Sequence, residues 1–373
     1  MIKSKKNILI KYICKELWVY FLIAFSFFFL IFFVNHLLLT AEDILEKRVP
    51  VAQVLLFIWY SLPFIIAQSA PFATLVGFLM CIGRMVSDNE ILILRSTGYS
   101  FAFLLSPAII LGLVISLGSF FVNDYLLPMG TIAYNKLYVS ILVSNPSVEL
   151  EPHSIKRFED STIVIGDVTD KNISDIMLFD TDSNGKLRVV SASNVDVVSP
   201  EDKSVAMQLN MGNATAIFLD EYNQDDYDYL KAQNASMNLF SSSFFPNYST
   251  ANPQEMTFFD LNKEIENLKT DENTSSQLLN TYKLEFHKKF SLPFGSIFFA
   301  FLAFPIAILF GKTNGQTIGL IVGICIAVLY WAFLIVGQQL GLQNGWDGFL
   351  TMWVPNFLVA IFGFIFFIRL LKS

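Results

Sequence analysis

The sequence predicts an α-helical membrane protein with six transmembrane helices, three before and three after an inserted all-β, jellyroll-like domain. Three observations point there. Of 373 residues, 54% are hydrophobic and only 15% charged, and Phe occurs 38 times, whereas an ordinary soluble domain is about 25% charged. Six stretches, 17–41, 49–83, 96–123, 290–311, 313–346 and 348–368, contain no Asp, Glu, Lys or Arg. Each reaches the roughly 20 helical residues that cross a bilayer core. The charge is also divided unevenly. Residues 136–285 hold 24 acidic and 11 basic residues, and the rest of the chain is mildly basic. An acidic polar domain therefore interrupts a membrane protein. Its charge argues against nucleic acid, whose phosphates are held by clustered Lys and Arg.

The start of the chain carries Lys3, Lys5, Lys6, Lys11 and Lys15. The apolar run after them is too long for a signal-peptide core and has no small-residue cleavage site, so it reads as an uncleaved anchor. Lys and Arg near span ends favour the cytoplasm. With the N-terminus inside, that side collects those lysines with Arg84, Arg95, Lys312, Arg369 and Lys372, and the opposite short loops hold only Lys47 and Arg48. Both termini are thus expected inside, with the polar domain outside.

Helix one is expected over about 18–40, and helix two over about 51–84 with Pro63 and Pro71 inside it. Proline removes a backbone donor and favours a kink. A short cytoplasmic segment, about 87–97, precedes helix three at about 101–127. In the polar domain, Asp175–Phe179 and Leu187–Ala192 flank Asn184-Gly185, a hairpin turn signal. Val205, Met207, Leu209 and Met211 alternate with polar or small residues, and Asn213 is expected to turn the chain into 214–218. Leu261, Ile265 and Leu268 follow helical spacing, after a loop over 246–253. A helical stretch from about Ser276 leads into helix four, 290–310, with Pro293 and Pro305 inside it. Helix five spans about 318–340, a loop 341–348, and helix six about 349–371. The expected domains are 1–135, 136–275 and 276–373.

Gly311-Lys312-Thr313 resembles the end of a phosphate-binding loop, but Ile306 stands where the motif needs its first glycine and a membrane helix precedes it. Cys14, Cys81 and Cys325 lie outside the polar domain, so no disulfide is expected there. With three histidines, no GxSxG and no HExxH, no catalytic centre, metal or other cofactor is expected. No Asp, Glu, Lys or Arg sits deep in a span, which disfavours a proton-driven transporter. Energy for any transport is then expected from a partner. The segment Asp88–Thr97 offers a docking point: Ile91, Leu92 and Leu94 would form an apolar face flanked by Glu90 and Arg95. It fits a partner's groove, or an interfacial helix resting on headgroups, which the sequence alone favours. Lys288 and Lys289, with Lys47 and Arg48, break the outer bias against basic residues and are candidate lipid-headgroup ligands. The competing structural role is pairing of Lys288 and Lys289 with Glu285.

Three local stretches, in this order, resemble the LptF/LptG family of lipopolysaccharide-export permeases. Ser87-Asp88-Asn89-Glu90 through Leu94-Arg95-Ser96-Thr97-Gly98 is similar to its coupling helix. Glu285-Phe286-His287-Lys288-Lys289 through Pro293 is similar to its approach to helix four. Trp353-Val354-Pro355-Asn356 is similar to its Pro-Asn motif in helix six. The resemblance covers essentially the whole chain, with the coupling segment slightly more like LptF.

The resemblance implies a permease subunit in a bacterial inner membrane, with residues 136–285 periplasmic. It implies a homologous permease partner, a cytoplasmic LptB-like ATPase dimer, an LptC-like periplasmic acceptor, and lipopolysaccharide as cargo. ATP hydrolysis would belong to the separate partner. Asp88, Glu90 and Arg95 would couple to that ATPase, with Glu90 as the principal contact. In the family, helices one and five line the lateral gates. This chain departs from the pattern at the outer end of helix one, where Asn35 and His36 are uncharged and Glu42, Asp43 and Glu46 follow. Phosphate grip would then fall to Lys47, Arg48, Lys288 and Lys289, or to the partner permease. The rival expectations are a membrane-anchored periplasmic binding or assembly protein without transport, and a secondary transporter.

Overall fold

The computed structural model describes residues 2–46, 50–144, 153–157, 161–169, 172–181, 187–198, 205–219, 227–240, 252–270 and 275–372. The helices before the sheet are α1 (Ile2–Glu46), α2 (Val51–Ser87), α3 (Glu90–Ser96), α4 (Phe101–Phe121) and α5 (Leu127–Ser144). A π-helical turn, Val122–Leu126, joins α4 to α5. The helices after the sheet are α6 (Phe258–Thr270), α7 (Ser276–Phe310), α8 (Gly315–Asn344) and α9 (Gly348–Lys372). Six helices among the described residues are long and apolar enough to cross a membrane, as expected.

Several ends run past the expected positions. Helix one extends from Ile2 to Glu46, and helix three continues through the π turn to Ser144. The expected loop 341–348 shrinks to Gly345–Asp347. A helix has no reason to stop where the uncharged run stops, because its hydrogen bonds continue into water. Ends that do stop sharply carry caps. Ser100 and Ser275 accept from the backbone N–H of Phe103 and Leu278 at 3.2 and 3.3 Å.

The chain forms two compact units: 1–39, 58–132 and 253–373 in one, and 40–57 with 133–252 in the other. In the first, α2 is central. Of its most apolar window, 89% is buried, against 22% for α1. Phe72 on α2 sets its ring about 6 Å from those of Phe28, Phe299, Tyr330 and Trp331, joining α1, α7 and α8. Close helix approach depends on glycine. A Cβ on Gly319 of α8 would lie 2.7 Å from the Leu79 carbonyl, and one on Gly77 of α2 would lie 2.8 Å from that of Tyr20. Small residues let backbones meet in this way inside membranes.

The second unit holds a six-stranded antiparallel sheet in sequence order: β1 (Ile155–Arg157), β2 (Ser161–Thr169), β3 (Asn172–Thr181), β4 (Leu187–Val198), β5 (Val205–Leu219) and β6 (Tyr227–Phe240). The expected inserted β domain is therefore present. β3 pairs Phe179 with Val189 of β4, and the turn expected at Asn184-Gly185 lies outside the described residues. Arg188 donates to Asp180 across the pair at 2.8 Å.

Asn213 does not end a strand. It sits within β5 at φ 52°, and Asp175 sits within β3 at φ 60°. Pairing skips Gly166 opposite Asp175, and Asp175 opposite Ser193. On each side of this line the buried residues are three apart instead of two: Ile173 and Ile176, Ala192 and Val195, Met211 and Ala214. A fold line thus crosses neighbouring strands and reverses the phase of their alternation. Asn and Asp tolerate the left-handed conformation that the line requires.

The expected loop 246–253 is described only from residue 252, and Pro253–Glu255 forms a single 3-10 turn. Leu261 and Ile265 of α6 are buried with Tyr282 of α7, as their spacing predicts.

Candidate functional site

Two clusters of polar side chains lie along α7, one at its C-terminal end and one about midway along it, at Glu285–Lys289. Lys289 and Phe310 are separated by about 30 Å along the helix axis, at about 1.5 Å per residue, close to a bilayer core's thickness.

The first cluster surrounds the short helix α3. Asn89 opens it at φ 60°, and Gly98 closes it at φ 91°, with the Tyr99 N–H on the Leu94 carbonyl. That closure is the usual reason for glycine just past a helix. Ile91 is buried and Leu94 packs on the core, whereas Leu92 and Ile93 are 66% and 59% exposed. The apolar residues therefore divide between two faces, correcting the expected grouping of Ile91, Leu92 and Leu94. In a seven-residue helix, Ile91 and Leu94 share one side at i and i+3.

Arg84, at the end of α2, sits amid the acids. Its guanidinium donates to Glu16 of α1 at 2.7 Å and lies 3.6 Å from Asp88 and 3.8 Å from Glu90. The Tyr12 hydroxyl of α1 donates to Glu90 at 3.1 Å. Ser87 fastens the same end to the α7–α8 turn. Its hydroxyl donates to the Gly311 carbonyl at 3.0 Å and accepts from the Gly315 N–H at 2.8 Å. Arg95 stands apart. It donates to the Tyr99 carbonyl at 3.1 Å and lies 4.0 Å over the Phe101 ring, pinning α3 to the start of α4.

The second cluster borders a cavity of about 240 Å³, lined in part by Phe64, Gln68, Lys288, Trp331, Gln338 and Met352. Lys288 pairs with Glu285 at 3.0 Å and keeps about a third of its side chain exposed. Lys289 also borders the cavity but is only 3% exposed. Its Nζ donates to the Asn123 carbonyl at 3.3 Å and lies 3.7 Å from Asp124. Asp124, in the π turn, also accepts the Phe258 N–H that begins α6, at 2.7 Å. His287 packs its ring against Phe286 and Phe349.

Of the residues singled out from sequence, Asp88 and Glu90 come together around Arg84, and Lys288 and Lys289 meet at the cavity. Arg95 joins neither cluster. Lys47 and Arg48 lie outside the described residues. Sequence reasoning missed Glu16, Tyr12, Ser87, Asn123 and Asp124 as partners. The one local signal was the i,i+4 spacing of Arg84 and Asp88, which places them on one helix face. Among the described residues, no group of His, Cys, Asp or Glu is arranged to hold a metal. The Gly311-Lys312-Thr313 stretch is a turn between two helices, without the strand that a phosphate-binding loop requires.

A family model described as lipopolysaccharide export system permease LptF/LptG matches residues 11–369. No curated protein matches the chain.

Proposed function

Since the chain belongs to the LptF/LptG family of lipopolysaccharide export permeases, we propose that it is the non-catalytic membrane subunit of an ATP-driven exporter. Permeases of this family are multi-pass transport components, not enzymes. On this proposal a cytoplasmic ATPase docks on α3 and a homologous permease completes the pathway. The cargo lipid passes to a periplasmic acceptor. Both termini lie inside and the β domain lies in the periplasm.

The observation that carries the coupling role is the arrangement of α3. Its inner side is fastened to the bundle by Ile91 and Leu94, while Leu92 and Ile93 stand exposed beside Glu90. A push on that face has a solid element to act on. Lys288 is proposed as a headgroup contact, because it lines the cavity and about a third of its side chain is exposed. Lys289 contributes positive potential there while its Nζ is held by Asp124. Lys47 and Arg48 are proposed alongside them.

Depletion of the protein in cells separates export from mere binding. Lipopolysaccharide accumulating at the inner membrane supports the exporter. Normal lipopolysaccharide distribution, with a periplasmic assembly defect instead, supports an anchored binding protein.

A further inference from the structure

The ion pairs of Arg84 join three successive helices of the chain. Arg84 reaches Glu16 on α1, Asp88 at the end of its own helix and Glu90 on α3. About a quarter of the Arg84 and Glu16 side chains is exposed, so the pair is only partly screened by water. The Tyr12–Glu90 hydrogen bond closes a second path between α1 and α3. Arg84 also lies 5.8 Å from the Tyr20 ring centroid, so α1 flanks the guanidinium with Tyr12, Glu16 and Tyr20 in succession. Beyond this cluster, α1 meets α2 at the Gly77 contact, and the apolar core that buries Ile13 and Leu17 of α1 also buries Ile91 of α3, without a charged group.

We propose that Arg84 is a positioning residue that makes α1 and the Glu90 segment move as one body, so that displacement of α3 is passed directly to α1. The inference rests on the exporter proposal for the source of that displacement. The mechanical tie itself rests on the ion pairs alone. A permanent positive charge suits the task because it attracts several carboxylates at once, a charge that lysine keeps and glutamine lacks.

The test uses the full chain in lipid nanodiscs, with Cys14, Cys81 and Cys325 replaced by Ala and nitroxide labels on Ile8→Cys and Ser96→Cys. The parent is expected to give one narrow label-to-label distance. Arg84→Gln and Glu16→Gln are expected to broaden it, and Arg84→Lys to keep it close to the parent. In the complex with the ATPase, lipid extracted per ATP hydrolysed is expected to fall about tenfold in Arg84→Gln. Arg84→Lys should recover most of that loss. A distance as narrow in Arg84→Gln as in the parent overturns the inference, and so does unchanged lipid per ATP. If the parent chain binds no ATPase, the exporter proposal fails, while the label distances still decide whether Arg84 ties the two elements.

Discussion

The side-chain amide of Asn123 donates to the backbone carbonyl of Lys289 at 3.1 Å. That carbonyl is the one left without its helical donor by Pro293, four residues on. Lys289 returns the contact through its Nζ to the Asn123 carbonyl. A proline inside a membrane helix is thereby repaired from a neighbouring helix, as hydrocarbon surroundings demand.

Asn123→Ala should cost about 1–3 kcal/mol, the range for leaving a buried hydrogen-bonding group unpaired. Thermal unfolding of the detergent-solubilised protein measures this. An unchanged midpoint would mean that another donor serves the Lys289 carbonyl.

Gly319→Val should separate α8 from α2, because even its Cβ would fall 2.7 Å from the Leu79 carbonyl. Overpacking of this kind costs about 1–3 kcal/mol. Gly118→Ala is the control, since nothing lies within 4 Å of the Cβ it would gain. Limited proteolysis should show faster cleavage for the first and parental resistance for the second.

The two adjacent lysines should behave differently. Lys288→Gln is expected to weaken photocrosslinking to lipopolysaccharide about tenfold, the loss of one charge-assisted contact, with unfolding temperature unchanged. Lys289→Met should lower the unfolding temperature, because Asp124 would lose the ammonium beside it. Equal effects of both on stability, with none on crosslinking, would remove Lys288 from the headgroup site.

Six spans and an all-β insert were legible because hydrophobic runs and alternation are local properties of the chain. Helix ends were less so. The uncharged run of helix one ends before Glu42, yet α1 continues to Glu46. Asn213 carried a true signal of left-handed backbone, but pairing resumes on both sides of it, so it makes a bend within β5 instead of a turn, as Asp175 does in β3. Glu90 and Lys288 stood out by their sequence setting, whereas Glu16 and Asn123 did not. Their partners lie 68 and 166 positions away and meet them only through helix packing.

The most direct test reconstitutes the complete exporter with wild-type or Glu90→Ala protein, and measures ATPase retained and lipopolysaccharide extracted after ATP addition. The account predicts that Glu90→Ala loses both, while the protein itself remains folded by thermal unfolding. ATPase association and ATP-dependent extraction both intact in Glu90→Ala would contradict the assignment of α3 as the place where the chain is driven.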